Sequence, residues 1–202
     1  GKNLCFSNAA VSSLLNNPIL RRFLDEYSNP PDTNPITEEL NHLTGVKNLN
    51  KSSTHKLRSI VQLKCFESGQ FTKEFNNNDQ HDAGEFMQSM LEHLWNENSQ
   101  DTLKEEMFGG VSQDIMTCLC GCRVELAPEH MSEIIPIQLT KQDVQKGLES
   151  FLSEENITWE CPKCARATVK KRRLIVIEPS TLILQLMRYN FDAANKKSSK
   201  IH

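Results

Sequence analysis

The sequence lacks any long apolar run. Its longest uninterrupted apolar stretch, Leu174 to Ile177, holds four residues, whereas a membrane-spanning helix needs about 20. A secretory signal, with its basic start and apolar centre, is absent as well. We therefore expect an intracellular protein, in the cytoplasm, the nucleus or both, with no membrane partner.

An excess of charge of one sign is also missing. The chain has 23 Lys and Arg residues against 26 Asp and Glu residues, which gives a formal net charge of −3. A dedicated nucleic-acid binder draws most of its affinity from a basic field, so we expect no nucleic-acid partner. A hydrophobic content of 38% with 24% charged residues is typical of a folded globular chain.

The sequence has no initiator Met, since it begins at Gly1. Its 202 residues correspond to one domain or to one and a half. Together these two features favour a fragment, a processed form or a trimmed part of a longer chain. We also expect the protein to be a monomer.

Seven cysteines are present, an odd number that does not suit a disulfide framework. Cys161 and Cys164 have the spacing of a metal-binding knuckle, and Cys118, Cys120 and Cys122 cluster about 40 residues earlier. Two such clusters without a secretory signal favour a structural zinc site of four thiolates. The early pair is either Cys118 with Cys120, the choice that a following Gly favours, or a pair that includes Cys122. The other interpretation of all five is free thiols.

The first half of the chain has helical periodicity. Apolar residues recur at helical spacing after candidate cap residues, most clearly in the stripe that includes Phe86, Met90 and Leu94. The pattern predicts helices over residues 8–15, 19–27, 57–65 and 79–95.

The second half changes to strand periodicity. Strands are predicted over residues 113–118, 123–127, 134–139, 168–177 and 181–189, with one helix over 142–152 and a loop over 192–200. Because segments 174–177 and 182–186 are almost wholly apolar, both are predicted to be central strands covered on both faces. Helices followed by strands indicate an α+β protein.

Two further groups can carry chemistry. Cys5 directly precedes an apolar helix, and a helix N-terminus stabilises a thiolate and makes it a nucleophile; the alternative is a small buried side chain. Asp82 and Glu85 lie three residues apart on the outer face of a helix, where they can grip a basic peptide or only face solvent. Cys65, on an apolar helix face, and His93, beside the apolar stripe, are interpreted as structural.

Five motifs in order resemble those of the ubiquitin-specific proteases, which are papain-like cysteine peptidases. The resemblance covers nearly the whole chain and rests on GKNLCFSNAAVSSLL at the start, DQHDAGEF at 79–86, Phe108-Gly109, the two cysteine clusters, and LILQLMRY at 182–189.

The resemblance implies a fold, a reaction and a partner. Residues 1–107 would form the helical thumb, and residues 108–202 the zinc-ribbon fingers and the first part of the palm. Cys5 would attack the carbonyl of the C-terminal glycine of ubiquitin on ubiquitinated proteins. Asp82 and Glu85 would hold the basic tail of ubiquitin, and Cys118, Cys120, Cys161 and Cys164 would bind structural zinc, with no catalytic cofactor.

The chain departs from the family pattern at the catalytic base. The family's His follows the Lys-Arg-Phe segment in a Gly-His-Tyr context, which none of the six histidines has. The oxyanion residue of the family would lie upstream of Gly1. The hypothesis is therefore a deubiquitinating thiol peptidase seen as an inactive fragment that lacks the catalytic His and the rest of the palm; the alternative is a non-catalytic ubiquitin-binding scaffold.

Overall fold

The structure is a computed structural model. It describes residues 5–26, 34–46, 49, 53–70, 74–75, 81–98, 101–138, 143–187, 189–192 and 197–200. Within these residues, no helix combines the length and apolar character that crossing a membrane requires. The chain divides into two compact units, Gly1–Met107 and Phe108–His202.

The first unit is built from helices. In chain order they are α1 (Cys5–Leu15), α2 (Pro18–Glu26), α3 (Pro35–Thr44), α4 (His55–Glu67), α5 (Ala83–Asn98) and α6 (Asp101–Phe108), whose last residue already belongs to the second unit. The four helices that the apolar spacing predicts are present as α1, α2, α4 and α5. The predicted ends at residues 27 and 79 lie outside the described residues.

Two helices were not predicted, and each has a weak apolar signal. The helix α3 begins with Pro35 in its first turn, a common starting residue, but a Pro after Asn34 is equally typical of a turn. The helix α6 is only eight residues long, and its buried apolar residues are Leu103, Met107 and Phe108. Sequence periodicity is unreliable over so few turns.

The core of this unit consists of one apolar stripe from each helix. Fully buried residues include Val11 of α1, Leu24 of α2, Leu40 of α3, Val61 of α4 and Leu91 of α5. Burying a side chain of this size contributes about 1.5–3 kcal/mol. Cys65 is completely buried and His93 is 5% exposed. Burial lowers the pKa of His93, so this imidazole is a neutral core group.

The second unit is mainly β-structure. Its strands are β1 (Val111–Thr117), β2 (Arg123–Glu125), β3 (Glu129–His130), β4 (Ile134–Gln138), β5 (Glu155–Thr158), β6 (Thr168–Ile177), β7 (Ile183–Met187), β8 (Tyr189–Asp192) and β9 (Lys197–Lys200), with one helix, α7 (Val144–Phe151), between β4 and β5. The main sheet has the order β2-β1-β6-β5, and β3 also pairs with β1. The parallel pair β4–β7 and the antiparallel pair β8–β9 lie outside this sheet.

Each predicted strand of this unit has a counterpart, and so does the predicted helix. The predicted ends at residues 139 and 142 lie outside the described residues. The short strands β3 and β5 were not predicted, because their polar side chains are exposed and carry no apolar alternation.

Two expectations about this unit are wrong. Val176 and Ile177 are each 54% exposed, and Leu182 and Leu186 are about 40% exposed, so the apolar segments are not covered on both faces. The predicted loop over 192–200 contains β9, which pairs with β8. A Lys/Ser-rich strand forms there because the ladder is made of backbone hydrogen bonds, for which side-chain composition is a weak guide.

A cross-strand ion pair joins the two central strands of the main sheet. Asp114 of β1 and Arg173 of β6 are directly opposite each other. The guanidinium donates from Nε and Nη2 to the two carboxylate oxygens at 2.8 and 3.0 Å. These hydrogen bonds hold the pKa of Asp114 below its ordinary value. The geometry is bidentate and partly buried, which makes it stronger than an ordinary surface pair.

We expect Asp114→Asn to lower the free energy of unfolding at pH 7 by about 1–2 kcal/mol. Because the pKa of Asp114 is depressed in the folded state, its contribution is fully present above the unfolded value of about 4 and is lost as the pH falls through the folded value. The difference between wild type and variant should therefore be constant from pH 7 to 5 and shrink on further acidification, as measured by urea unfolding.

The matched control is Glu125→Gln, which removes an exposed carboxylate 2.8 Å from Arg123 on the same sheet. A change below about 0.5 kcal/mol is expected for it. Equal losses in the two variants, or a difference for Asp114→Asn that grows on acidification, would contradict the role assigned to the pair.

Candidate functional site

The main sheet brings the two cysteine clusters to one end. Strand β6 pairs with β1 on one side and with β5 on the other. Thr117, the last residue of β1, is opposite Lys170, while Thr158, the last residue of β5, is opposite Thr168. The chain therefore leaves β1 and β5 at the same end, and a cysteine cluster follows each strand. Residues about 40 apart in sequence become neighbours because they share this third strand.

Both clusters lie in tight turns. After β1, the amide of Gly121 donates to the carbonyl of Cys118 at 3.0 Å, and Gly121 has a φ of +84°, where glycine is favoured. After β5, the amide of Ala165 donates to the carbonyl of Cys161 at 2.8 Å. Ala165 has a φ of +54°, an uncommon value for a residue with a Cβ. Each turn folds its cysteines back toward the other.

Four sulfur atoms meet between these turns. The Sγ atoms of Cys118, Cys120, Cys161 and Cys164 all lie within 4.8 Å of one another. The Cys118–Cys164 and Cys120–Cys161 sulfur distances are 3.6 and 3.7 Å. Tetrahedral zinc with bonds of about 2.3 Å sets its sulfur ligands about 3.8 Å apart. The four cysteines can therefore hold a structural zinc ion.

The fifth cysteine of this region is outside the set. Cys122 is partly buried and packs against the buried cluster of Met116, Cys118, Cys161 and Val169. Its carbonyl accepts the amide of Cys118 at 2.9 Å. The set of four sulfur atoms within reach of one ion thus favours Cys118 with Cys120 over a pair that includes Cys122.

The thiols influence each other's ionisation. Burial opposes ionisation of Cys161, but the backbone N–H groups of Lys163 and Cys164 and the neighbouring thiols favour the thiolate and lower its pKa to about 6. The N–H of Arg166 favours a thiolate at Cys164, yet the nearby Cys120, burial and the other sulfurs raise its pKa to about 12. Thiols this close cannot all ionise unless a cation offsets their negative charges, and a zinc ion would provide that positive charge.

We expect the purified chain to carry about one zinc ion, and the double variant Cys161→Ser, Cys164→Ser to carry none, because it loses two of the four ligands. Metal content per chain, measured by atomic emission after dialysis, checks this. Zinc retained in the double variant, or no zinc in the wild type, would contradict the site.

The control for this experiment is Cys122→Ser, which removes a neighbouring thiol that is not among the four. Its zinc content should equal that of the wild type. If zinc were lost there and retained in Cys120→Ser, the ligand set would instead include Cys122.

Cys5 lies in the first unit, at the first position of α1. Its side chain is exposed, so the structure does not bear out the reading of Cys5 as a small buried residue. At this position the thiol lies beside backbone N–H groups of the first turn that have no partner within the helix.

Phe6, the residue after Cys5, packs the GKNLCFSNAAVSSLL segment onto the DQHDAGEF segment. The ring of Phe6 packs at 5.5 Å, centroid to centroid, against Phe86 of the DQHDAGEF segment, edge to face. Phe75 packs edge to face on Phe86 at 5.2 Å, and His81 lies 5.2 Å from Phe6. Phe6, Phe75 and Phe86 are at most 4% exposed. We call Phe6, Phe75, His81 and Phe86 the aromatic cluster.

The two acidic side chains begin α5 beside this cluster. Asp82 and Glu85 are both exposed. One carboxylate oxygen of Asp82 accepts the amide of Glu85 at 2.9 Å, which is the usual bond of an N-cap residue. This cap explains why α5 begins at Ala83, four residues after the predicted start at residue 79. It also fixes the direction of the Asp82 carboxylate.

The contribution of the aromatic cluster to the site was not foreseen. Sequence reasoning treated Phe86 as one member of an apolar stripe and did not single out Phe6, Phe75 or His81. The available signal was an aromatic residue directly next to the candidate nucleophile and another in the DQHDAGEF segment. Such a signal does not identify which rings will meet, because the partners are about 70 to 80 residues apart.

Comparison with known proteins gives a consistent result. The family model of ubiquitin carboxyl-terminal hydrolase matches residues 1–202. The chain is 23% identical over 214 residues to the probable ubiquitin carboxyl-terminal hydrolase 8 of Schizosaccharomyces pombe, covering 98% of this chain and 46% of that protein. It is 26% identical over 219 residues to human ubiquitin carboxyl-terminal hydrolase 24, covering 99% of this chain and 8% of that protein.

Solved structures agree on the fold. The chain superposes on the Ubp8 chain of a SAGA DUB module bound to monoubiquitin with a TM-score of 0.74 and 18% identity, covering 100% of this chain and 49% of that one. A second structure of the SAGA Ubp8 module gives a TM-score of 0.64 at 20% identity, covering 98% of this chain and 48% of that one. The fold is thus the α+β, papain-like fold of the ubiquitin-specific proteases, and the chain spans half or less of the length of these relatives.

Proposed function

Because the chain belongs to the ubiquitin carboxyl-terminal hydrolase family, we propose that it is part of a cysteine deubiquitinase, which hydrolyses the bond after the C-terminal glycine of ubiquitin on protein conjugates. The observation that carries the proposal is the position of Cys5. It is exposed at the first residue of α1, and Phe6 beside it packs on the segment that bears the acidic pair.

The proposed reaction proceeds through a thioester. The Cys5 thiolate attacks the carbonyl carbon of the glycine, the bond to the amine of the conjugate breaks, and the amine leaves with a proton from the general acid. Water then hydrolyses the thioester and regenerates the thiol. No histidine here has the sequence context of the family's catalytic His. The general acid and base are therefore proposed to come from residues other than 1–202.

Asp82 and Glu85 are proposed to bind the basic C-terminal tail of ubiquitin. Both carboxylates are exposed, and the hydrogen bond from Glu85 N–H holds the Asp82 side chain in one orientation. A carboxylate that is already oriented loses less conformational entropy when it pairs with a cation. The neighbouring aromatic cluster ties this acidic pair to the Cys5 helix.

The two units are proposed to correspond to the parts of the family fold. Residues 1–107 would be the thumb, and residues 108–202 the fingers and the first part of the palm. In the fingers, zinc on the four cysteines would fix the two turns and contribute to folding, without a part in the chemistry. The partners would be ubiquitin and ubiquitinated proteins.

We expect ubiquitin carrying a C-terminal vinyl sulfone to form one adduct with this chain, at Cys5. The reaction should be slow, because no base from residues 1–202 is assigned to accept the thiol proton, and hydrolysis of ubiquitin conjugates should be at background. Gel shift and peptide mass spectrometry after long incubation check this. Cys5→Ala should give no adduct, and Cys122→Ser should react like the wild type.

An adduct that still forms in Cys5→Ala would contradict the assignment of Cys5 as the nucleophile. Ubiquitin binding without any adduct would instead favour the non-catalytic scaffold. The specific reason to keep that second candidate is the lack of a histidine in the expected context.

We also expect Asp82→Asn with Glu85→Gln to weaken ubiquitin binding by about fivefold at low salt, since two exposed charge pairs are lost. The difference should narrow as salt is added, because exposed pairs are screened. Biolayer interferometry at several salt concentrations measures both effects.

Glu92→Gln provides the control for this loss. Glu92 is exposed on the same helix, about two turns beyond Glu85, so its replacement changes the net charge of α5 without touching the pair. If Glu92→Gln weakened binding as much as the double variant, only the overall charge of the helix would matter and the assigned pair would be wrong.

A further inference from the structure

A buried chain of hydroxyl and amide groups links the first turn of α1 to the start of α4. Ser7 Oγ lies 2.8 Å from Thr54 Oγ1, and Thr54 Oγ1 lies 2.8 Å from Asn8 Oδ1. Ser7 and Thr54 are both completely buried. Ser7 and Asn8 come two and three residues after Cys5, so both contacts fall on the turn that carries the nucleophile.

The direction of these hydrogen bonds follows from the groups involved. An amide oxygen only accepts, so Thr54 gives its single hydroxyl proton to Asn8. The Ser7 hydroxyl then donates to Thr54 Oγ1, whose lone pairs are free to accept. Thr54 is therefore the central member, and both bonds to α1 depend on its one oxygen atom.

The Thr54 side chain makes these hydrogen bonds instead of the N-cap hydrogen bond that is usual at its position. It occupies the N-cap position of α4, where a threonine side chain ordinarily accepts a backbone N–H of the first turn. Here Thr54 has a φ of −94° and a ψ of 10°, and its side chain makes no cap bond. Its backbone carbonyl still accepts the amide of Arg58 at 3.0 Å. The hydroxyl is directed to α1 instead of to its own helix.

We infer that Thr54 is a positioning residue for the nucleophile, an assignment that rests on the proposed role of Cys5. Cys5 itself is exposed, and within the described part of the chain no side-chain hydrogen bond holds its thiol, so its position depends on the rest of the first turn. Thr54 holds that turn through Ser7 and Asn8. Without the hydroxyl, the turn frays and the N–H groups beside the thiol no longer point in a fixed direction.

The test compares Thr54→Val with Thr54→Ser. Valine has the shape of threonine without the hydroxyl, and serine keeps the hydroxyl without the methyl. The readout is the rate at which iodoacetamide alkylates Cys5 at pH 7.5 in the folded chain, followed by mass spectrometry of the peptide that contains Cys5. This probe forms a thioether with the thiolate, releases iodide and requires neither ubiquitin nor a general base.

Thr54→Val is expected to slow alkylation of Cys5 by about two- to fivefold, the change equivalent to the ordinary effect of a helix N-terminus on a nearby charge. Thr54→Ser should restore most of the rate. Ser7→Ala, which removes one of the two bonds, should slow it less than Thr54→Val. It also keeps the test valid if Thr54→Val does not fold.

Thr37→Val is the matched control. Thr37 is an equally buried threonine, 1% exposed, on α3. Its replacement tests whether the loss of any buried hydroxyl slows alkylation by loosening the unit. The rate for Thr37→Val should equal that of the wild type. Equal slowing in Thr37→Val and Thr54→Val, or slowing in Thr54→Val that serine does not restore, would overturn the inference.

The role of Cys5 in a deubiquitinase and the role of Thr54 can be disproved separately. If ubiquitin vinyl sulfone does not label Cys5 but alkylation still depends on the Thr54 hydroxyl, the proposed function is wrong and the hydroxyl link to α1 remains. If labelling occurs and alkylation is the same in all Thr54 variants, the deubiquitinase assignment stands and Thr54 has no positioning role.

Discussion

Burial of the Phe6 ring is the interaction on which the position of Cys5 depends. Phe6 is covered by Phe75 and Phe86, and each of these contacts crosses many residues of sequence. A buried phenylalanine removes a large apolar area from water and adds the directional preference of edge-to-face packing. Because Cys5 precedes Phe6, the thiol is held at the surface while its neighbour anchors it. The same contact positions the segment that contains Asp82 and Glu85, since Phe86 belongs to that segment.

In the second unit the corresponding constraint is electrostatic. Backbone pairing of β6 with β1 and β5 brings four thiols within 4.8 Å. Such a cluster is unfavourable when more than one thiol ionises, which is the origin of the opposite pKa changes of Cys161 and Cys164. A divalent cation reverses the sign of this interaction and turns a repulsive cluster into a crosslink between the turns.

Polar groups near the two helix starts are used in opposite ways. One carboxylate oxygen of Asp82 accepts a hydrogen bond from its own helix, which fixes the direction of this exposed side chain. Thr54 makes no cap bond to its own helix and reaches α1 instead. Both residues occupy the N-cap position of their helices. The difference arises because Thr54 is buried against α1, whereas Asp82 faces solvent.

Much of the site can be predicted from local patterns. Helical spacing located α1, α2, α4 and α5, and strand periodicity located most of the sheet. The position of Cys5 before an apolar helix, the outward face of Asp82 and Glu85, and the two cysteine clusters were all visible as short-range features. Each depends on residues a few positions apart, and backbone periodicity controls what such residues do.

Long-range contacts decided the rest. The approach of Cys118 and Cys120 to Cys161 and Cys164 follows from the shared strand β6 and the turn at Gly121. The aromatic cluster and the hydroxyl of Thr54 join segments about 46 to 80 residues apart. The exposure of Val176 and Ile177 depends on which surfaces of β6 have neighbours. Side-chain type and local helix or strand position can be read from the sequence, and they indicate which residues could be reactive. Tertiary packing decides which of these residues lie together, because that depends on distances between parts of the chain with no common local pattern.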